Sequence, residues 1–229
     1  MGCGGSQFTE DENKFFKKPH MRDSEYLCNK IVNESSFTTV MMKKDLFEHR
    51  DDYMLKAKDG SDFLNVISAS GRKRLVAMDG TTCCVLIFSV RYSEVNAVDA
   101  AFNLPHVYVY STFPYKEGQK ESDFEDDGKK LYLWARVHKV ANVGTPKFEV
   151  AMAEFQGSAT GPNIERFGFT MYTSIIFSDG RMEILKRGVG CCRVGFNEDN
   201  SEYSVTIAAF IDPALMISSI MAMESLKDR

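Results

Sequence analysis

No stretch of this 229-residue chain is apolar for long enough to cross a bilayer as a helix, so it can sit on a membrane without spanning it. The first residues are Gly-rich and polar rather than an apolar h-region, and a secretory signal is not expected. The six cysteines, at positions 3, 28, 83, 84, 191 and 192, show no C-x-x-C spacing, which argues against structural zinc. They read as reduced thiols in a cytosolic compartment. The vicinal pairs point to opposite faces of a strand and make poor partners for each other. Only four histidines occur (His20, His49, His106, His138), widely separated and without ligand spacing. The chain contains no G-x-S-x-G, H-E-x-x-H, Walker or Rossmann fingerprint, so neither catalysis nor a cofactor is expected. A net charge of -4 argues against nucleic acid as a partner. The acidic run Asp123-Phe124-Glu125-Asp126-Asp127-Gly128 starts like a calcium loop. Its twelfth position is Trp134 where Glu is required, and a plain solvated loop is the better reading.

What remains is a folded globular protein: 44% of its residues are hydrophobic and 26% charged, with a length that one all-β domain can reach. The chain opens Met1-Gly2-Cys3-Gly4-Gly5-Ser6, which fits the M-G-x-x-x-[ST] acylation signal. Loss of Met1 would expose Gly2 for myristoylation, and Cys3 beside it is placed for palmitoylation. One myristoyl chain binds a membrane only reversibly, so a second signal is needed. Cys3 and the basic residues Lys14, Lys17, Lys18 and Arg22 are the candidates. Residues 1–24 therefore read as a flexible acylated arm, with Phe15 and Phe16 set for shallow insertion among the lysines. Residues 25–229 form the single folded domain.

From about residue 35 the pattern is β. Apolar, β-branched runs at 53–58 and 62–68, 74–78 and 82–92, and 167–178 and 181–186 flank Asp59-Gly60, Asp79-Gly80 and Asp179-Gly180. Asp-Gly in this setting signals a hairpin whose two central residues both take positive φ. Further strands are predicted at 105–115, 131–140, 147–153, 191–196 and 203–210, with a charged, loop-like insertion at 116–130. An antiparallel meander follows from three such hairpins. The end of the chain differs: Asp212-Pro213 supplies an N-cap and a first helical residue, and the next ten residues carry no charge. Such a helix, about 212–226, is apolar on every side and must be buried all round or lie in lipid. Its length favours burial in the core, with Leu215, Ile217, Ile220 and Met221 as core residues.

Many strands followed by one apolar terminal helix resembles the tubby C-terminal-like superfamily, which includes the LURP-one-related proteins and the phospholipid scramblases. The matching stretches are Met42-Lys43-Lys44-Asp45-Leu46-Phe47, Asp52-Tyr53-Met54-Leu55-Lys56-Ala57-Lys58-Asp59-Gly60 and Leu75-Val76-Ala77-Met78-Asp79-Gly80. Val85-Leu86-Ile87-Phe88, Tyr203-Ser204-Val205 and Asp212-Pro213-Ala214-Leu215-Met216-Ile217 complete the series. The resemblance covers about residues 35–226. It implies a mostly β fold in which a closed antiparallel barrel encloses the C-terminal helix. It also implies a non-enzymatic protein that binds anionic lipid, phosphoinositides included, or scaffolds protein partners. The basic clusters Lys43-Lys44 and Arg72-Lys73-Arg74 are the barrel candidates for lipid contact. With the acylation signal, this places the protein on the cytoplasmic face of a eukaryotic membrane, the plasma membrane foremost. A phospholipid scramblase-like protein is the alternative, against which stand the absent calcium loop, cysteine cluster and span-length helix.

Overall fold

The structure is a computed structural model. It describes residues 15–16, 20–21, 26–44, 46–69, 71–89, 105–140, 147–153, 167–177, 179–196 and 202–227. The acylation residues Gly2 and Cys3, and the arm residues Lys14, Lys17, Lys18 and Arg22, lie outside them.

The first strands are β1 (Thr38–Lys43), β2 (Tyr53–Ala57), β3 (Asp62–Ala69), β4 (Arg72–Ala77), β5 (Thr82–Ser89) and β6 (His106–Ser111). A small hairpin, β7 (Glu125–Asp126) and β8 (Lys129–Lys130), stands apart as its own two-stranded sheet. There follow β9 (Tyr132–Val140), β10 (Lys147–Ala153), β11 (Phe167–Ile176), β12 (Met182–Lys186), β13 (Val189–Phe196) and β14 (Glu202–Ile207). The chain ends in α1 (Pro213–Leu226).

Twelve strands close into a barrel in the order β1-β14-β13-β12-β11-β10-β9-β6-β5-β4-β3-β2. The meander runs in chain order apart from the β7–β8 detour. It closes where β1 pairs antiparallel with β14, from Thr38 opposite Ile207 to Lys43 opposite Glu202. Closure leaves no edge strand in the barrel to recruit another chain. Along each strand one side chain in two points inward: in β4, Lys73, Leu75 and Ala77 are buried and Arg72, Arg74 and Val76 are not.

The fixed interior width is filled by α1, whose residues from Pro213 to Met223 are all buried. Its axis is lined with small and pliant side chains rather than aromatics, which lets a helix fit inside the wall without overpacking. Ser218 and Ser219 donate to the Leu215 carbonyl at 2.9 and 2.7 Å, so their hydroxyls are satisfied in an apolar surround. The Asp212 side chain caps α1, accepting from the Ala214 amide at 2.8 Å and the Leu215 amide at 3.2 Å. Pro213 occupies the first helical turn, as its missing N–H allows.

The three Asp-Gly turns join the strands expected, by a different geometry. Only the glycines take positive φ, 86° at Gly60, 84° at Gly80 and 87° at Gly180, while Asp59, Asp79 and Asp179 do not. Each aspartate instead accepts from the amide two residues on, as in Ser61 to Asp59 at 3.0 Å and Thr81 to Asp79 at 3.0 Å. Gly60 and Gly80 donate to the carbonyls of Ala57 and Ala77, and the ladders shift register after Leu55 and after Leu75. These are type I turns closed by a Gly bulge. Among the described residues, the turns with two positive-φ residues are Asp127-Gly128 (49° and 74°) and Arg187-Gly188 (50° and 79°). The former corrects the reading of 116–130 as loop throughout, since its two short arms are β7 and β8.

Candidate functional site

Strand direction gives the barrel two distinct mouths. The lower mouth gathers the start of β1, the turns after β2, β4 and β12, the end of β14 and the N-terminus of α1. The upper mouth gathers the end of β1, the turn between β3 and β4, and the C-terminus of α1, where the Lys139 ammonium donates to the Lys227 carbonyl at 2.9 Å.

A strap formed by residues 26–33 lies across the lower mouth. The Leu27 amide donates to the Asp212 carboxylate, so the acid that caps α1 also anchors the strap. The Tyr26 hydroxyl donates to the Phe210 carbonyl at 3.3 Å, and the Phe210 amide donates to the Asn33 carbonyl at 2.9 Å. Lys30, in a 3-10 turn over Asn29–Ile31, forms an exposed ion pair with Asp79 of the β4–β5 turn. That lysine holds the Asp79 carboxyl well below the usual carboxylate range. Beside the strap, Lys30, Asn33, Phe37, Lys58, Asp59 and Phe63 line an open surface cavity of about 570 Å³.

The described part of the N-terminal arm reaches the same mouth. The Phe15 ring lies 4.6 Å beneath the Arg193 guanidinium of β13, which is itself paired with Glu183 at 2.6 Å. Phe16 packs on Phe37 with ring centroids 4.9 Å apart and touches the barrel core. A His20 ring nitrogen bonds the Gly190 carbonyl at 2.8 Å. Gly190 is required here because a Cβ would stand 2.4 Å from the Phe15 carbonyl oxygen. Phe15 and Phe16, read from sequence as membrane-inserting, thus have protein neighbours in this structure.

Large apolar side chains are exposed at the same mouth: Met21 (86%), Met78 (52%) and Phe37 (42%). Met21 follows the docked His20, Met78 sits in the β4–β5 turn, and Phe37 precedes β1. Sequence patterning did not single them out, since isolated apolar residues in turns carry no signal until the fold gathers them.

The basic candidates lie toward the upper mouth. Lys43 is exposed, and the Lys44 ammonium sits 4.3 Å from the Phe196 ring. Lys73 points inward, only 5% exposed, and donates to the His49 carbonyl and the Ser68 hydroxyl. Burial pushes its pKa down. Arg72 donates to the Glu125 carbonyl at 2.7 Å, and Arg74 binds both Asp126 and Asp127 at 2.7 Å. The acidic run is therefore a latch that holds the β7–β8 hairpin against β4. It also covers a second apolar cluster outside the barrel, where the Phe124 ring packs tilted against Tyr110 with centroids 5.2 Å apart. The core candidates Leu215, Ile217, Ile220 and Met221 are all brought together in the barrel, each 3% exposed or less.

Two of the histidines face one another across β6 and β9, His106 opposite His138. His138 is lowered to about 4, by burial first and by Arg136 second, against the opposing pull of Glu149 at 3.6 Å. Among the described residues no cluster of three or more His, Cys, Asp or Glu side chains is arranged to hold a metal ion. No helix among them is long and apolar enough to cross a membrane.

A closed antiparallel barrel around a C-terminal helix is the class of protein these features define. A solved X-ray structure of a protein from Arabidopsis thaliana shares that fold, with a TM-score of 0.54 over 90% of this chain and 100% of the other, at 10% identity. That likeness extends to the fold alone. No protein-family model matches the chain, and no curated protein matches it in sequence.

Proposed function

We propose that this chain is a non-enzymatic, lipid-anchored peripheral membrane protein of the tubby C-terminal-like kind, whose lower mouth faces an anionic lipid surface. Acyl chains on Gly2 and Cys3 supply the anchor, and the barrel supplies a surface for lipid headgroups or protein partners at the cytoplasmic face. The observation that carries this reading is the docking of Phe15, Phe16 and His20 at the mouth where Met21, Met78 and Phe37 are exposed. An acylated N-terminus thirteen residues upstream of Phe15 then emerges beside the barrel's own apolar surface.

The two contributions are complementary in magnitude. A myristoyl chain gives marginal binding, and each buried methylene adds about 0.8 kcal/mol. Shallow burial of a Phe and two Met side chains adds a few kcal/mol more at about 25 cal/mol per Å². The basic residues near the upper mouth contribute less than their number implies, because Lys73, Arg72 and Arg74 are bonded within the chain.

Flotation with vesicles of phosphatidylcholine and phosphatidylserine, with and without phosphoinositide, tests the proposal. Myristoylated protein is expected to float, Gly2→Ala to lose most of its binding, and Phe37→Glu with Met78→Glu to weaken the acylated form several-fold. Equal flotation of all three would overturn it.

A further inference from the structure

Cys28 and Cys83 are separated by much of the first half of the barrel, yet the strap brings them together at the lower mouth. Cys28 is the residue just before the 3-10 turn, and Cys83 is the second residue of β5. Their contact is fixed from two sides. Lys30, two residues past Cys28, pairs with Asp79, four residues before Cys83. Leu27, one residue before Cys28, is tied to Asp212 beneath the barrel. Both thiols are buried in the same core cluster, Cys28 at 6% exposure and Cys83 at 0%, and their side chains interact directly.

The two sulfurs are chemically unequal. The neighbouring Cys83 thiol lowers Cys28 to about 7, against the cost of its burial. The same contact and burial push the Cys83 thiol up. Burial also pushes up Cys84 and Cys192, so neither resembles Cys28.

We infer that Cys28 is a peroxide-reactive site that closes a reversible disulfide with Cys83, stapling the strap to the barrel wall. The Cys28 thiolate attacks one oxygen of a hydroperoxide, here hydrogen peroxide. A sulfur–oxygen bond forms, the oxygen–oxygen bond breaks, and hydroxide leaves to take up a proton as water. The Cys83 sulfur then displaces the hydroxyl from the Cys28 sulfenic acid. The Cys83 proton leaves with that hydroxyl as a second water. Two thiols are oxidised by two electrons in total, and one peroxide is reduced to two waters. Local opening of the strap, whose outer tie from Lys30 to Asp79 is exposed, admits so small an oxidant. This inference stands independently of the membrane reading.

Peptide mapping of full-length unacylated protein tests it, after brief exposure to a small excess of hydrogen peroxide and alkylation of the remaining thiols. The expected product is one cross-linked peptide pair joining Cys28 to Cys83, released by dithiothreitol, with Cys3, Cys84, Cys191 and Cys192 alkylated as thiols. In Cys83→Ser, Cys28 is expected to accumulate as a sulfenic acid trapped by dimedone. In Cys28→Ser, Cys83 is expected to survive the same exposure. Should either variant fail to fold, the wild-type map alone decides. A disulfide between other cysteines, an unoxidised Cys28, or a Cys28 sulfinic acid without cross-link would overturn the inference.

Discussion

Leu27 and Asp212, 185 positions apart, meet beneath the barrel, where the backbone amide of the first donates to the carboxylate that caps α1. One buried acid, 2% exposed, thereby ties the strap, the end of the last strand and the start of the central helix into a single unit.

Asp212→Ala removes the cap and the anchor together. The expected loss is about 1–3 kcal/mol of folding stability, since a helix cap and a buried backbone donor both lose their partner. Asp212→Asn keeps the acceptor oxygen and is expected to cost less. Urea unfolding of the two variants beside wild type gives the ordering directly.

The central helix is expected to tolerate shrinkage better than charge. Ile220→Ala should cost about 2–5 kcal/mol, as large-to-small changes in a closed core do. Ile217→Asp or Ile220→Asp should abolish folding, because both sites are fully buried within the hydrophobic core. A soluble, cooperatively melting Ile220→Asp protein would contradict the placement of α1 inside the barrel.

His138 predicts a pH dependence. Its pKa falls from 6.5 to about 4 on folding, through burial and then Arg136, so the folded state favours the neutral ring. The unfolded chain binds the proton first, and the stability is complete above pH 6.5 and is lost as pH falls toward 4. The loss by pH 4.5 is on the order of 2–3 kcal/mol. Urea midpoints measured from pH 7 to pH 4.5 should decline, and His138→Gln should flatten part of that decline.

Gly190→Val should release the arm while leaving the barrel folded. The new side chain would collide with Phe15, whose carbonyl lies 2.4 Å from the Cβ position. Limited proteolysis is the check: cleavage around residues 15–20 should accelerate, with little change in the melting temperature. Unchanged cleavage would mean that the arm is not held there.

Much of this barrel was legible in the sequence because local chemistry and global fold agree. The segment 147–153 matches β10 residue for residue, and Asp212-Pro213 announced α1 through its cap and its apolar run. The strand β1 carried no such signal: Thr-Thr-Val-Met-Met-Lys alternates weakly, and its place is set by β14, far along the chain. The Asp-Gly pairs marked hairpins correctly but not their geometry, since Asp can either adopt positive φ or turn its side chain onto the following amides. Arg72, Lys73 and Arg74 looked like one basic cluster in sequence. Strand alternation sends the middle residue inward, and the acidic run more than fifty positions on claims the outer two. Of the lower mouth only Phe15 and Phe16 stood out in the sequence, because the rest is assembled from single residues in the strap, the arm and two turns.

The central claim is that the N-terminus, and not the apolar C-terminal helix, attaches this protein to a membrane. Intact-mass analysis of the protein purified from its own cells tests it most directly. The account predicts a chain without Met1, carrying myristate on Gly2 and a hydroxylamine-labile palmitate on Cys3. A membrane-bound protein that retains Met1, or carries no acyl group, would contradict it.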